Sequence, residues 1–141
     1  MTEIESGNIT TAKPFILVAE DNRDSRDSLK ALLEAYGFDV IVAENGEEAV
    51  DRALGSAPDL VLMDVMMPRV DGIEATRRLR GSSNFRQVPI LALSAMVGSR
   101  ELALNAGCDD YLTKPIDIPA LVSSIRGWLA RGHTPTPTLN S

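Results

Sequence analysis

Hydrophobic and polar positions along the chain fall into two alternating rhythms. Short apolar runs occur at Phe15–Ala19, Phe38–Ala43 (interrupted by Asp39), Leu60–Met63 and Val88–Leu93, with a shorter one at Tyr111–Thr113. Runs of this length without alternation read as strands buried on both faces, as in a parallel sheet. Between them the spacing changes to that of helices. Leu29, Leu32, Leu33 and Tyr36 form an i, i+3, i+4, i+7 stripe, which Asn22 or Asp24 can cap and Gly37 can end. Asn45-Gly46 leads into a helix carrying Ala49, Val50, Ala53 and Leu54, and Pro58-Asp59 breaks it. A third helix begins near Asp71-Gly72 and reaches about Arg80, with Ile73, Ala75, Thr76 and Leu79 inward. Gly81–Gln87 reads as a polar loop. A helix over Ser99–Ala106 ends at Gly107, and a last one starts near Pro119 with Leu121, Val122, Ile125, Trp128 and Leu129 on one face.

Five strands alternating with five helices predict an α/β fold, a doubly wound five-stranded parallel sheet with helices on both faces. Residues 1–13 read as a flexible leader, 14–130 as one domain and 131–141 as a disordered tail without an output domain. At 141 residues the chain is long enough to bury most of a central sheet. The 20 Asp and Glu against 14 Lys and Arg give a net charge of −6, which disfavours broad nucleic-acid binding and anionic membrane surfaces. Cys108 is the single cysteine, which excludes an internal disulfide and a Cys-based metal cluster. No apolar stretch approaches a membrane span, and Met1–Pro14 lacks the pattern of a signal peptide, so the expected location is the cytoplasm.

Polar residues close the apolar runs: Glu20-Asp21 after the first, Asp64 after the third, Ser94 after the fourth and Lys114 after the fifth. In open parallel sheets ligands bind beyond the carboxyl ends of the strands, so these side chains share one edge. Taken singly, each has an ordinary reading. Asp64 can begin a turn at Pro68 and Gly72, Glu20-Asp21 can be a helix N-terminal acidic pair, Ser94 a helix cap, Lys114 a solvated charge and Tyr111 plain packing. Together they carry chemistry. Three carboxylates raise one another's pKa unless a cation sits among them, and Mg2+ suits hard oxygen ligands completed by a phosphoryl oxygen. A carboxylate can accept a phosphoryl group, with Mg2+, Lys114 and Ser94 neutralising its equatorial oxygens.

Glu20-Asp21, Asp64 followed by Met66-Met67-Pro68 and Asp71-Gly72, Ser94-Ala95, and Tyr111-Leu112-Thr113-Lys114-Pro115 resemble the receiver domain of two-component response regulators over about Phe15–Leu129. The resemblance implies a flavodoxin-like strand order 2-1-3-4-5, with Asp64 as phospho-acceptor. It implies that Asp21 binds Mg2+ directly and Glu20 through water, with the Met66 carbonyl as a further ligand. Lys114 would pair with the phosphoryl group and precede a cis proline, Ser94 would move onto the phosphoryl group, and Tyr111 would turn inward after it. The implied donor is a sensor histidine kinase or a histidine phosphotransfer protein. The implied output is a docked protein target, an onward relay step, or a homodimer through the fourth helix, fifth strand and fifth helix.

Three departures from the family pattern stand out. Glu20 replaces the more frequent Asp, Ser94 replaces Thr, and Ser94–Gly107 is about two residues short. An enzyme of the phosphohydrolase type would carry a second acid two residues after its nucleophile as general acid, and Met66 stands there instead. Turnover is therefore expected to be limited to self-catalysed loss of the aspartyl phosphate. A phosphorylation-independent scaffold would not need Glu20, Asp21, Asp64, Ser94 and Lys114 together. Cys108 is expected to be buried filler, Trp128 to pack on the sheet, Met66 and Met96 to flank the phosphoryl site, and His133 to be inert.

Overall fold

The structure is a computed structural model and describes residues 13–67, 69–96 and 98–133. Five strands are described: β1 (Phe15–Ala19), β2 (Asp39–Ala43), β3 (Leu60–Asp64), β4 (Ile90–Ser94) and β5 (Asp110–Thr113). They form one parallel sheet in the order β2-β1-β3-β4-β5. The helices are α1 (Arg23–Ala35), α2 (Gly46–Ser56), α3 (Gly72–Arg80), α4 (Arg100–Ala106) and α5 (Ile118–His133). The expected doubly wound α/β architecture is present.

Alternation along the buried strands divides the core into two layers. Ile16, Val18, Leu60, Leu62, Leu91 and Leu93 face α1 and α5 through Leu29, Leu33, Leu121 and Ile125. Leu17, Val61, Met63, Ile90 and Ala92 face α2, α3 and α4 through Ala49, Ala53, Leu79 and Ala103. The alanines let α2 and α4 lie close to the sheet. Side-chain caps set three helix starts: Asn22 accepts from the Ser25 amide, Asn45 from Glu48 and Asp71 from Glu74. Gly37 follows α1 with φ +99°, and Gly107 ends α4 with φ +118°, the left-handed geometry that favours glycine.

Several boundaries differ from the sequence reading. The stripe on α1 is turned: Leu32 and Tyr36 are exposed, and Arg26 is buried beside Leu29 and Leu33. Its guanidinium reaches the Glu20 and Asp21 carbonyls, which compensates its burial. Leu54 is exposed on α2. β2 starts one residue late because Phe38 is spent in the core layer under α1, its amide bonded to the Leu33 carbonyl. β4 likewise begins at Ile90 rather than Val88, because the Val88 carbonyl is taken by Arg80. The loop expected to be polar contains a short 3-10 turn, Ser83–Phe85, that buries Phe85. α5 runs past Arg131, where a tail was expected, to His133, and the Arg131 guanidinium lies 4.2 Å from the Trp128 ring centroid one turn back. Pro68, the leader up to Ala12, the tail from Thr134 and the His133 side chain lie outside the described residues. No described helix is long and apolar enough to cross a membrane.

Candidate functional site

The order in which strands are added to the sheet reverses between β1 and β3, which opens a crevice at their carboxyl ends. Into it β1 delivers Glu20 and Asp21, β3 delivers Asp64, and the residue after β5 is Lys114. Lys114 Nζ donates to Glu20 Oε1 at 2.8 Å and to Asp64 Oδ2 at 2.9 Å. Glu20 and Asp64 are 1% and 3% exposed, whereas Lys114 is half-buried and Asp21 faces solvent. Carboxylate oxygens of Glu20, Asp21 and Asp64 lie within 4.8 Å of one another, a cluster that could hold a metal ion. The arrangement is three acids against one base.

Backbone contacts hold these groups in place. Asp64 Oδ1 accepts from the Met66 amide at 3.0 Å, and Glu20 Oε2 accepts from the Asn22 amide at 3.1 Å. Asp64 is thus both turn former and ion partner. Glu20 serves both places: its Oε2 lies on the amide of Asn22, the N-cap of α1, while its Oε1 takes the Lys114 ammonium. Arg26, which the sequence reading passed over, donates to the backbone carbonyls of Glu20 and Asp21 and so braces the acidic loop. Its signal in the sequence was a charge on the inward side of an otherwise apolar stripe.

Burial alone would lower the Lys114 pKa, but hydrogen bonds to Glu20 and Asp64 and their negative charges outweigh it and raise it above 10.5. The peptide bond between Lys114 and Pro115 is cis. Met66 is 56% exposed at the mouth of the crevice, and Met96 is exposed as well.

Ser94 is buried at the end of β4 and caps no helix. Its Oγ accepts from the Met96 amide at 2.9 Å. Tyr111 is half-buried, and its hydroxyl donates to the Met96 carbonyl at 2.8 Å. Ser99, expected inside a helix, stands just before α4 with a buried side chain that touches both Ser94 and Tyr111. No periodic signal marks it. Cys108 is buried 3.6 Å from the Thr76 hydroxyl, and its thiol pKa is raised, chiefly by burial. Trp128 packs on the α1 and α5 layer and donates to Asp110 at 3.0 Å.

The sequence model of the response regulator receiver domain matches residues 16–126. The chain belongs to the receiver-domain family of response regulators. This receiver is 36% identical over 116 residues to the polar-differentiation response regulator DivK of Brucella anthropi, covering 81% of this chain and 94% of DivK. It is 43% identical over 118 residues to the response regulator MprA of Mycobacterium tuberculosis, covering 82% of this chain but only 50% of MprA, so it spans about half of that relative. Among solved structures it resembles the receiver domain of the Pseudomonas aeruginosa sensor histidine kinase PA1611, which has magnesium in its active-site cleft, with TM-score 0.80, 38% identity and 84% and 99% coverage of the two chains. It also resembles the Saccharomyces cerevisiae Ssk1 receiver domain, crystallised with the histidine phosphotransfer protein Ypd1, with TM-score 0.79, 30% identity and 86% and 92% coverage.

Proposed function

We propose that this receiver accepts a phosphoryl group on the Asp64 carboxylate in a Mg2+-dependent step. The donor is a phosphohistidine on a sensor kinase or a phosphotransfer protein of the kind that pairs with the Ssk1 receiver. One observation carries the reading: Lys114 Nζ spans Glu20 and Asp64 while Asp21 completes an acidic cluster at the sheet's switch point. The donor set fits the ion, since Glu20, Asp21 and Asp64 offer hard carboxylate oxygens and the PA1611 receiver holds magnesium in its cleft. The Met66 carbonyl is a further ligand in this reading. Bound among these acids, Mg2+ would lower the repulsion between Asp64 and the incoming phosphoryl oxygens.

An Asp64 carboxylate oxygen forms the new P–O bond as the donor's P–N bond breaks, and the imidazole keeps the electron pair and takes up a proton. Lys114 exchanges a carboxylate partner for a phosphoryl oxygen and neutralises its charge. The Ser94 hydroxyl donates to another phosphoryl oxygen, and Tyr111 responds on the face of α4, β5 and α5, which presents the altered surface to a protein target or to a second copy. Met66 and Met96 offer no acid or base to an attacking water, so loss of the phosphoryl group is slow, and a half-life of seconds would contradict this. A cytoplasmic setting, where kinase and receiver meet, goes with the reading.

The test is incubation with acetyl phosphate or beryllofluoride and Mg2+. With acetyl phosphate the wild-type chain is expected to gain one phosphoryl group by intact-mass measurement, with beryllofluoride to bind one equivalent without covalent mass gain, and Asp64→Asn is expected to do neither. Labelling that persists in Asp64→Asn, or a wild-type chain that ignores both reagents, overturns the proposal.

A further inference from the structure

Ser99 is 1% exposed, yet its side chain does not cap α4. Its Oγ donates to Ser94 Oγ at 3.2 Å and lies 2.5 Å from the Tyr111 hydroxyl and 3.3 Å from the Met96 carbonyl. Ser94 Oγ also accepts from the Met96 amide, and the Tyr111 hydroxyl reaches the Met96 carbonyl. Among the described residues, Ser99 is the side chain bonded to both Ser94 and Tyr111.

Counting protons shows what this link does. A hydroxyl has one proton and two lone pairs. Ser94 Oγ accepts twice, from the Met96 amide and from Ser99, so what it has left to offer another group is its own proton. The Ser99 proton can go to Ser94, to Tyr111 or to the Met96 carbonyl, but only one at a time. A buried hydroxyl must keep a partner, so withdrawing one acceptor shifts the bond to another.

We infer that Ser99 is a positioning residue that couples Ser94 to Tyr111 through a shared hydroxyl proton. It does two things. Its bond into Ser94 Oγ keeps the Ser94 hydroxyl oriented as a donor toward the phosphoryl site. When Ser94 turns, the Ser99 proton passes to the Tyr111 oxygen or the Met96 carbonyl, which changes the hydrogen bonding around the phenol. This rests on the proposed roles of Ser94 and Tyr111, but the coupling can be tested without phosphorylation.

The chain has two tyrosines, so 3-fluorotyrosine gives two 19F resonances, with Tyr36 as the internal control. Ser94→Ala is expected to shift the Tyr111 resonance when Ser99 is present and to leave it nearly unmoved in the Ser99→Ala background. Equal shifts in both backgrounds overturn the coupling. In a second arm, Mg2+ and beryllofluoride should move the Tyr111 resonance in the wild type, while Ser99→Ala still binds beryllofluoride but loses most of that shift and Ser99→Thr regains it. A full shift in Ser99→Ala overturns the inference. If beryllofluoride moves nothing in the wild type, the phosphoryl-acceptor reading fails and the first arm alone decides the coupling. Should Ser99→Ala not fold, Ser99→Cys keeps the volume with a poor hydrogen-bond partner and takes its place.

Discussion

Lys114 is the residue on which the balance of charge at the site turns. It bridges Glu20 and Asp64, both nearly cut off from water, and its removal leaves two buried carboxylates with no cation between them. Breaking a buried pair by removing one partner costs about 3 kcal/mol. Lys114→Met is therefore expected to lose about that much in urea unfolding at neutral pH with chelator present, and to recover part of it when Mg2+ is added. The pH dependence follows from the raised pKa of Lys114. A group held above its unfolded value contributes stability that is complete below that value, here 10.5, and is lost as pH climbs through the folded one. Urea midpoints measured from neutral pH to above 10.5 should fall more steeply at the alkaline end for wild type than for Lys114→Met. Parallel curves would show that the ion triad contributes nothing there. Arg26 belongs to the same scale, since its side chain is the brace between α1 and the backbone that presents Glu20 and Asp21.

Between elements, two close approaches decide where the site residues stand. The start of α3 packs against the end of β3 at Gly72, where a Cβ would lie 2.1 Å from the Asp64 carbonyl oxygen and 2.9 Å from Val65 Cα. Backbone on one side and backbone on the other leaves no flexible group to yield. Gly72→Ala is expected to cost about 2–3 kcal/mol in thermal or urea unfolding, and also to slow phosphorylation of Asp64 because the acceptor's own backbone must shift. A variant as stable as wild type would show that the α3 start can move freely. At the other end of α3, Arg80 donates to the carbonyls of Gly107, Phe85 and Val88 and pairs with Asp109 at 2.7 Å. One side chain thus ties α3 to the 3-10 turn and to the starts of β4 and β5. The loop between α3 and β4 looks unstructured in sequence because its order comes from this guanidinium, which lies several residues away.

For the whole molecule, the sheet's switch point gathers acids from two strands that are 44 residues apart between Glu20 and Asp64 (64 minus 20). Their mutual repulsion is built into the native state and absent from the unfolded chain, so a cation that binds only the folded form must stabilise it. Saturating Mg2+, at about 100 times its dissociation constant, would add about 2.7 kcal/mol. For a domain of this size that corresponds to a rise of at least about 5 °C in Tm by calorimetry. The rise should largely vanish in Asp21→Asn, which leaves the Lys114 triad intact. An equal rise in that variant would place the ion elsewhere.

Much of this was legible in the linear chain. Unbroken apolar runs marked β1, β3 and β4 because a strand covered on both faces has no polar side to show, and the polar residues closing β1, β3 and β5 identified the site's carboxylates and its lysine. Asp71, Asn45 and Gly37 announced helix ends through local hydrogen bonding and left-handed backbone. What escaped was whatever depends on buried polar groups finding partners that neither periodicity nor capping marks. The inward turn of α1 toward Arg26 goes with a guanidinium bonded to the Glu20 and Asp21 carbonyls, and the loop that buries Phe85 and the late start of β4 go with a second one, Arg80, bonded to the Phe85 and Val88 carbonyls, pairings that no sequence period announces. Ser99 carries no periodic or capping signal, and its place between Ser94 and Tyr111 exists only because β4, β5 and the approach to α4 meet. Local rules act through neighbours a few residues away, and so they could be read in order. The satisfaction of buried polar groups is settled by the packed whole, and tertiary structure alone decided it.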